Sequence, residues 1–335
     1  MEKVKVAIFS AYGYPVFNPK YPPVFGGAEV DLYNLSVYLS KKPDLDLVFY
    51  VGDFGQTDET EVIDGVKLKK ISCFGWHRKN MFHKIKHYSH LFLSMWRSDA
   101  DFMLTEMAGD IVGWGAIFFK ILRKKHLIHR LASDRDTEYT SPAASGGWRT
   151  YYLYRLGLQK ADYIFSQTRQ QQHMLKKRMG FNSKVVPNGF FINDKVDIPG
   201  KDYILWVGRC TALKRPELFI ELAKKIPKKN FVMIMPPPIA VETDSFRAEA
   251  LKLVEQARDL SNMNYIEQVP FKEVQHFYNK AQLLVNTSIY EGFPNTFIQS
   301  CLGGTPIASL KVDPDGFITQ NHLGLSFEDD FERLV

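Results

Sequence analysis

Short apolar runs alternate with amphipathic stretches along the whole chain, in a repeat that is typical of βαβ units. In the first half of the sequence, strands are predicted near 4–10, 46–52, 66–72, 101–105, 126–132 and 163–167. In the second half, they are predicted near 203–208, 230–234, 263–267, 282–287, 305–309 and 323–327. Because helical patterns lie between the runs, the sequence predicts an α/β fold with two doubly wound parallel sheets.

A polar stretch separates the two series of strands. Pro199 and Gly200 punctuate it, and turn-forming residues of this kind are common between domains. A chain of 335 residues also suits two domains. We place the boundary between 188 and 201, which gives an N-terminal domain over 1–190 and a C-terminal domain over 191–335.

Composition narrows the classes of partner. With 45% hydrophobic and 24% charged residues, the chain has the composition of an ordinary globular protein. Residues 1–190 carry 27 Lys and Arg against 18 Asp and Glu, whereas residues 191–335 carry 16 against 19. The N-terminal domain is therefore the one expected to meet an anionic surface. Nucleic acid is not expected as a partner, because no nucleic-acid-binding module is recognised.

Cysteine usage and hydropathy predict a cytoplasmic protein. Cys73, Cys210 and Cys301 are far apart and show neither a metal-binding spacing nor a disulfide framework, which suits a reducing compartment. The N-terminal strand lacks the apolar region of a signal peptide. No apolar run approaches the ~20 residues of a transmembrane helix, so we expect no membrane span.

The most informative segment covers 290–300, where a polar loop follows a predicted strand and leads into a helix. Glu291 lies in the loop, and Gln299 lies eight positions later on the helix. Between them, Gly292 and Pro294 shape a turn that can direct backbone N–H groups towards a ligand. Such a segment can hold a small polar ligand at the carboxyl edge of a parallel sheet.

A second polar loop follows the predicted strand 203–208. It contains Arg209 and Lys214, and it ends at Pro216, which suits the first turn of a helix that continues to about Ile226. Two cations at the carboxyl end of a strand can hold a diphosphate, Arg as a planar fork and Lys as a point charge. Two cations at this spacing also occur in ordinary solvated loops. The pattern indicates a ligand site mainly because the segment 290–300 accompanies it.

Together the two segments resemble the donor site of family 4 retaining glycosyltransferases. Segment 290–300 resembles the Glu-x7-Glu region of that family, with Gln299 where a second Glu is usual, and Arg209 and Lys214 match its Gly-Arg-x4-Lys pattern. The resemblance implies the GT-B architecture, in which two Rossmann-like domains face each other across a cleft. It also implies helices that return to the N-terminal domain after the last strand. Because the sequence ends at Val335, we expect these return helices to be absent.

The resemblance further implies roles for individual residues. Arg209 and Lys214 would hold the donor diphosphate in place of a metal ion, so neither a metal nor another cofactor is expected. Glu291 would bind sugar hydroxyls. Gln299 would accept hydrogen bonds from the ribose, without the charge assistance that a carboxylate gives. The other expected donor-binding positions, which contact the sugar, the base and the phosphates, are Phe293, Pro294, Asn295, Thr296, Val269, Gly26 and Gly27.

Asp134 completes the predicted catalytic set, since it follows the strand near 126–132 and would face the cleft. Asp134-Arg135-Asp136 spells Asp-x-Asp, the metal–nucleotide signature of a different glycosyltransferase fold, and Asp313-Pro314-Asp315 spells it again. Triplets of this kind often arise by chance, so metal binding is not predicted for either. His129 lies within the strand and is predicted to be a core residue.

An amphipathic basic segment over 76–96 bears on the acceptor. Its aromatic and apolar residues recur at helical spacing, interspersed with Arg and Lys, and further basic residues follow at 120–125. Such a helix can lie on an anionic bilayer, which would place the protein peripherally on the inner face of a membrane. The same pattern also fits a helix that packs on the core and exposes a basic face to solvent.

We therefore predict a retaining hexosyltransferase that uses a nucleotide-sugar donor and a saccharide or lipid-linked acceptor, in cell-surface polysaccharide or glycolipid assembly. Two alternatives stay open. A GT-B-fold sugar-nucleotide epimerase or hydrolase would turn over the donor without an acceptor. A degenerate, non-catalytic binding subunit would account for the Gln at position 299 and for the early end of the chain.

Overall fold

The computed structural model describes residues 3–22, 24–72, 74, 81–192, 200–236 and 244–335, with the side chains of 81–84 and 244–247 left out of the description. The chain divides into two compact units, Met1–Gly189 and Phe190–Val335. Each unit is an α/β domain around its own sheet. The predicted strands are all present, with ends that shift by one or two residues, and the predicted fold class is confirmed.

The described part of the N-terminal unit holds an eight-stranded sheet in the order β3-β4-β2-β1-β5-β6-β7-β8. Its strands are β1 (Val4–Ser10), β2 (Leu45–Val51), β3 (Thr60–Ile63), β4 (Val66–Lys70), β5 (Phe102–Glu106), β6 (His126–Arg130), β7 (Tyr163–Ser166) and β8 (Lys184–Val185). Neighbouring strands are parallel except β3 and β4, which form an antiparallel hairpin. At its turn, Asp64 and Gly65 have φ of 52° and 78°, as a type I′ turn requires. The sequence prediction missed β3 and β8.

Helices cover the two faces of this sheet. They are α1 (Tyr14–Phe17), α2 (Gly27–Ser40), α3 (Met81–Arg97), α4 (Asp110–Gly115), the π-helical segment Ala116–Leu122, α5 (Trp148–Lys160) and α6 (Arg169–Met179). Two glycines bring α4 and α5 together. A Cβ on Gly113 would lie 2.3 Å from the Leu153 carbonyl oxygen, and one on Gly157 would lie 2.5 Å from Val112 Cγ1. The close contact between α4 and α5 is therefore possible because neither glycine has a side chain.

The described part of the C-terminal unit holds a six-stranded, fully parallel sheet in the order β11-β10-β9-β12-β13-β14. Its strands are β9 (Tyr203–Val207), β10 (Phe231–Ile234), β11 (Met263–Ile266), β12 (Ala281–Asn286), β13 (Ile307–Ser309) and β14 (Gly324–Ser326). From β9 the chain adds β10 and β11 on one side of that strand, and it then crosses to the other side, where it adds β12, β13 and β14. This is the strand order of the Rossmann fold, and its switch point lies between β9 and β12.

The helices of the C-terminal unit are α7 (Pro216–Lys225), α8 (Asp244–Asp259), α9 (Phe271–Lys280), α10 (Asn295–Leu302), α11 (Phe317–Gln320) and α12 (Phe331–Leu334). Because side chains alternate along a strand, the central strand β9 contributes side chains to the apolar clusters on both faces of the sheet. Trp206 packs in one apolar cluster with Phe219, and Leu205 packs in the other with Phe297. Within the described ranges, no helix is both long and apolar enough to span a bilayer.

Replacing Gly113 with Ala should destabilise the N-terminal unit, because the added Cβ would overlap the backbone of α5 at Leu153. Overpacking costs roughly 1–3 kcal/mol, more than the ~1 kcal/mol that Ala gains over Gly in a helix. Differential scanning calorimetry should show a lower Tm. Gly189→Ala is the matched control, since its Cβ would meet nothing within 4 Å. An unchanged Tm for Gly113→Ala would contradict the close packing of the two helices.

Candidate functional site

The two polar loops singled out in the sequence meet at the centre of the C-terminal sheet. One follows β9 and the other follows β12, and these strands are parallel neighbours, so both loops leave the same edge. The Ile289 N–H donates to the Leu213 carbonyl oxygen at 2.8 Å, which joins the loops directly. This is the switch point of the sheet, where open parallel sheets of this type leave a crevice for ligands.

A buried hydroxyl fixes the two loops to each other. Thr287, the first residue after β12, is fully buried. Its Oγ1 accepts a hydrogen bond from Trp206 Nε1 at 2.9 Å and donates one to the Lys214 carbonyl oxygen at 2.5 Å. The Thr287 side chain thus connects the end of β9, the loop that carries Lys214 and the end of β12.

Arg215 supports the same loop from its other end. Its Nε donates to the Thr287 carbonyl oxygen at 2.6 Å, and its Nη1 lies 2.6 Å from Asp329 Oδ1. Burial opposes ionisation of Asp329, but hydrogen bonds from Arg215 and Lys311 outweigh it and hold the pKa of that carboxyl below its ordinary value. The Arg215 backbone has φ 47° and ψ 56°, a left-handed conformation that is strained for a residue with a side chain. These contacts hold the residue in that conformation.

Lys214 and Glu291, which are 77 positions apart in sequence, form an ion pair between Nζ and Oε1. The Glu291 side chain is 14% exposed and that of Lys214 28%, so both groups lie partly within the protein. Arg209, on the same loop as Lys214, is exposed and makes no ion pair with a described residue. The site therefore presents one solvated cation and one cation that a carboxylate already neutralises. A ligand phosphate would compete with Glu291 for Lys214.

Helix α10 begins directly after the Glu291 loop. Pro294 is its N-cap and offers no side-chain hydrogen bond, so the first-turn N–H groups around Thr296 are not capped by that residue. Such groups favour anions. Phe293 packs edge-to-face on Phe317, with ring centroids 4.8 Å apart, and Asn295 begins the helix.

Gln299 is buried within α10, with an exposed fraction of 6%. The backbone carbonyl oxygen of Gln299 accepts a hydrogen bond from Gln275 Nε2 at 3.0 Å, which ties α10 to α9. A surface amide on a helix would be much more exposed than this. The position is therefore an interior one and not a solvent-facing amide on the helix surface.

The other predicted positions lie on other elements of the fold. Val269 follows β11, at the edge of the sheet, and packs on the cluster that contains Phe297. Gly26 and Gly27 lie in the N-terminal unit, at the start of α2, where the Gly26 N–H donates to Glu29 Oε2 at 2.8 Å. With φ −125°, Gly26 is in an extended conformation that any residue can adopt. Asp134 also lies in the N-terminal unit, at the start of a 3₁₀ turn after β6.

Both Asp-x-Asp triplets serve as caps of short turns. Asp136 Oδ2 accepts from the backbone N–H groups of Ala132 and Ser133, at 2.7 and 3.1 Å. Asp313 Oδ1 accepts from the Ile318 N–H at 2.7 Å. Across the described residues there is no group of three His, Cys, Asp or Glu side chains that could hold a metal ion. The triplets therefore have a structural explanation in the turns that they close.

His129 lies in the core of the N-terminal unit, as predicted. Its Nδ1 is 3.0 Å from Thr105 Oγ1, and its Nε2 is 3.4 Å from the Tyr154 hydroxyl. Burial lowers the pKa of His129 to about 3, so the ring is neutral at physiological pH. Its hydrogen-bonding groups are used within the core, and no catalytic role follows from its position.

The residues that hold the two loops together, Thr287, Trp206 and Arg215, could not be predicted from the sequence as site residues. Thr287 differs in no way from an ordinary polar residue at a strand end, so the sequence contains no signal for it. Arg215 had a weak signal, because it lies between Lys214 and a proline that begins a helix. Its contact with Asp329 joins parts of the chain that only the fold brings together.

A comparison of the sequence with protein families finds one match, which covers the region of the site. Residues 190–316 match the family model described as Glycosyl transferases group 1. The matched residues all lie within the C-terminal unit. The match includes both loops of the site and all of α10. Comparison with curated proteins finds no match.

Solved structures share the fold of nearly the whole chain. Sucrose-phosphate synthase from Thermosynechococcus elongatus is 16% identical with a TM-score of 0.78, over 99% of this chain and 88% of that one. Anabaena Alr3699/HepE, in complex with UDP and glucose, is 14% identical with a TM-score of 0.69, over 99% and 89%. UDP-GlcNAc 2-epimerase from Methanocaldococcus jannaschii is 12% identical with a TM-score of 0.57, over 99% and 90%. At these identities the similarity establishes the fold alone, two Rossmann-like domains.

Asp136 should make stability depend on pH. Burial, partly offset by backbone hydrogen bonds, raises the pKa of Asp136 to about 6. The folded protein keeps this proton up to about pH 6, whereas an unfolded Asp releases it near pH ~3.9. This group therefore makes stability fall as pH rises from about 4 to 6. In Asp136→Asn, the decrease in Tm over that range should become smaller.

Calorimetric scans from pH 3 to 7 on the wild type and the variant would measure this difference. Asp162→Asn is the control, because Lys120 and the Leu127 N–H outweigh burial and lower the pKa of Asp162. The Asp162 contribution is present above the unfolded pKa and is lost as pH falls, so its variant should change the profile mainly below about pH 4. Identical profiles for Asp136→Asn and the wild type between pH 4 and 6 would contradict the assignment.

Proposed function

We propose that this protein is a retaining glycosyltransferase that moves a sugar from a nucleotide-sugar donor to a saccharide or lipid-linked acceptor. The main support is the position of Lys214 and Glu291. They face each other across adjacent loops at the switch point of a group 1 glycosyl transferase domain. A cation and a carboxylate in contact suit a ligand that carries phosphates on one side and hydroxyls on the other. A nucleotide sugar is such a ligand.

In the proposed complex, the donor diphosphate takes over Lys214 and binds Arg209, next to the N-terminal end of α10. Glu291, released from Lys214, accepts hydrogen bonds from the sugar hydroxyls. Gln299, inside α10, accepts from the ribose, while the loop residues before α10 line the sugar pocket. The fold shared with Alr3699/HepE, whose structure contains UDP and glucose, supports a ligand of this class.

The proposed transfer retains the anomeric configuration through a front-side reaction. The bond between the anomeric carbon and the diphosphate oxygen breaks, and the acceptor oxygen bonds to the same face of that carbon. The acceptor proton passes to the departing phosphate oxygen. Arg209 and Lys214 stabilise the negative charge that develops on the leaving group, so the reaction proceeds without a metal ion. We propose Asp134 as a further polar group of the catalytic set.

We further propose that the protein works in the cytoplasm, bound peripherally to the inner face of a membrane, in polysaccharide or glycolipid assembly. Residues 76–80 of the predicted basic segment lie outside the described residues. The proposal therefore rests on the rest of the segment, which forms α3. One side of α3 packs on the core, where Met95 is fully buried and Phe92 contacts Trp114. Beside this buried side, α3 exposes Ile85 to 60% and Trp96 to 53%.

Exposed basic and apolar side chains continue beyond α3. Lys86 and Arg97 are exposed on the helix itself, and the π-helical segment exposes Leu122. The Arg123 Nη1 donates to the Met95 carbonyl oxygen at 2.9 Å, which joins the end of that segment to the end of α3. Apolar groups flanked by cations can enter an anionic bilayer interface.

Calorimetry without added metal, against UDP-, GDP-, ADP- and CDP-sugars, tests the donor site. We expect one nucleotide to bind, and the double variant Arg209→Ala/Lys214→Ala to weaken its binding by roughly tenfold or more, because two charge-assisted contacts are lost. Lys225→Ala is the matched control, since Lys225 pairs with Glu332 on the surface of the same unit. It should leave the affinity unchanged.

The same experiment separates the alternatives. Binding that is equal in the wild type and the double variant would contradict the diphosphate site. Absence of binding to every donor would favour the degenerate binding subunit. The epimerase, whose fold is shared, would be favoured if the donor were converted with no acceptor present.

Vesicle co-sedimentation tests the membrane surface. Vesicles of equal parts phosphatidylglycerol and phosphatidylcholine should bind the wild type, and added salt should weaken binding, because each Lys or Arg near the surface contributes about 1 kcal/mol. Ile85→Glu/Trp96→Glu should reduce binding roughly tenfold or more. Val62→Glu is the control, since Val62 is 69% exposed on the edge strand β3. Equal binding to pure phosphatidylcholine, or no binding, would contradict the proposal.

A further inference from the structure

A cluster of residues with left-handed backbone adjoins Lys214. Eight described residues other than glycine have a positive φ, and three of them, Arg215, Glu328 and Asp329, come together at one place, with φ of 47°, 54° and 70°. Arg215 Nη1 lies 2.6 Å from Asp329 Oδ1, and Glu328 directly precedes Asp329. Side chains disfavour this region of φ, so such residues persist only where their surroundings impose it. Strained residues of this kind are most common at functional sites.

The part of the chain that carries Asp329 is fixed by packing on both sides. Phe327 lies before the strained residues and Phe331 lies after them, and both pack on the apolar cluster that contains Trp206. Between them, the Asp329 N–H donates to the Leu310 carbonyl oxygen at 2.6 Å. The Asp329 carboxylate therefore has a defined position relative to the C-terminal sheet.

Arg215 connects this carboxylate to the loop that carries Lys214. Its Nη1 contacts Asp329, and its Nε donates to the Thr287 carbonyl oxygen at 2.6 Å. The Arg215 side chain is only 16% exposed, so these contacts are largely shielded from solvent. Lys214 directly precedes Arg215, and its carbonyl oxygen accepts from Thr287 Oγ1. The backbone of Lys214 is thus held on one side by Arg215 and on the other by Thr287.

The Arg215 side chain is explained by these contacts and not by the shape of the turn. Glycine adopts a positive φ without strain, so a turn of this shape alone would favour glycine. Arg adds the strain of a Cβ and the entropy cost of ordering a long side chain. What offsets both costs, among the described residues, is the contact of the guanidinium group with Asp329 and with the Thr287 carbonyl group.

We propose that Arg215 is a positioning residue, which holds Lys214 where the donor diphosphate binds. It acts through its contacts with Thr287 and Asp329 and does not itself contact the diphosphate. The segment 327–335 thereby supports the loop that carries Lys214, although it lies outside the donor site. This inference rests on the proposed function, since that function gives Lys214 its ligand.

Positioning and simple attraction predict opposite effects for Asp329. If charge alone mattered, removal of a carboxylate near the site would strengthen the binding of an anion. If Asp329 holds Arg215 and Arg215 holds Lys214, the same change weakens binding, because the loop loses its support. A variant of Asp329 therefore separates the two explanations. A variant of Arg215 alone would not, since the loss of a cation weakens anion binding in both.

Calorimetry with inorganic pyrophosphate, on the full chain and without added metal, tests the proposal. Arg215→Gly and Asp329→Ala should each weaken binding roughly fivefold, which is the effect of about one lost hydrogen bond. The double variant should bind no more weakly than Arg215→Gly, because both changes break the same contact. Simple attraction predicts instead that the double variant, which loses one cation and one carboxylate, binds about as tightly as the wild type.

Two variants in the same unit are matched controls. His322→Gly removes left-handed strain at φ 55° from an exposed residue before β14, so it shows the effect of backbone relief alone. Glu332→Ala removes a carboxylate of the segment 327–335 that pairs with Lys225. Both should leave the affinity for pyrophosphate unchanged.

Amide hydrogen exchange in the unliganded protein gives a second measurement. The Ile289 N–H, which donates to the Leu213 carbonyl oxygen, should exchange roughly fivefold faster in Arg215→Gly and in Asp329→Ala. The two controls should not change its rate. The proposal is overturned if Asp329→Ala binds pyrophosphate as tightly as the wild type or more tightly. It is also overturned if Ile289 exchanges at the wild-type rate in both variants.

Failure of this inference can be told from failure of the proposed function. Equal pyrophosphate binding by the wild type and Arg209→Ala/Lys214→Ala, or no binding by either, would contradict the proposed function and, with it, the ligand assigned to Lys214. Failure of the inference alone would be seen as pyrophosphate binding that depends on Arg209 and Lys214 but not on Asp329.

Discussion

The hydroxyl of Thr287 is the constraint on which the candidate site of the C-terminal unit depends. It lies between the indole of Trp206 and the carbonyl group of Lys214, so it fixes the loop that follows β9 to the end of β12. A parallel sheet brings these loop ends to one edge, but it does not fix where the loops go. The buried hydrogen bonds do, and they allow Lys214 and Glu291 to meet across 77 positions of sequence.

The two sheets use the same geometry for different chemistry. Each has a switch point between adjacent central strands, β9 and β12 in one unit and β1 and β5 in the other. In the C-terminal unit the loops there carry cations and a carboxylate. In the N-terminal unit the corresponding place is a cavity lined by aromatic rings and by acids. The same feature of the fold is thus surrounded by different side chains in the two units, and those side chains would decide which ligand each place suits.

Sequence patterns predicted most of the fold because buried parallel strands are short apolar runs between polar turns. The prediction missed β3, whose residues alternate between exposed and half-buried in an antiparallel hairpin at the sheet edge, and β8, which has only two residues. Arg209 and Glu291 could be selected from the sequence as candidate site residues, because they are charged residues in polar loops that follow predicted strands. The ion pair of Lys214 with Glu291 and the anchor of Arg215 on Asp329 could not, because tertiary structure alone creates them.

The ion pair between Lys214 and Glu291 has a consequence for how the site responds to its surroundings. An open basic site attracts any anion, and its affinity falls steeply with ionic strength. Here an anionic ligand must exchange places with a carboxylate that is already present. Dissolved salt weakens both the contact that is lost and the contact that is gained, so the two effects partly cancel. If the site binds a donor as proposed, the affinity of Lys214 for a phosphate would depend less on salt than that of the exposed Arg209, and a ligand that also gives Glu291 new hydrogen-bond donors would be favoured.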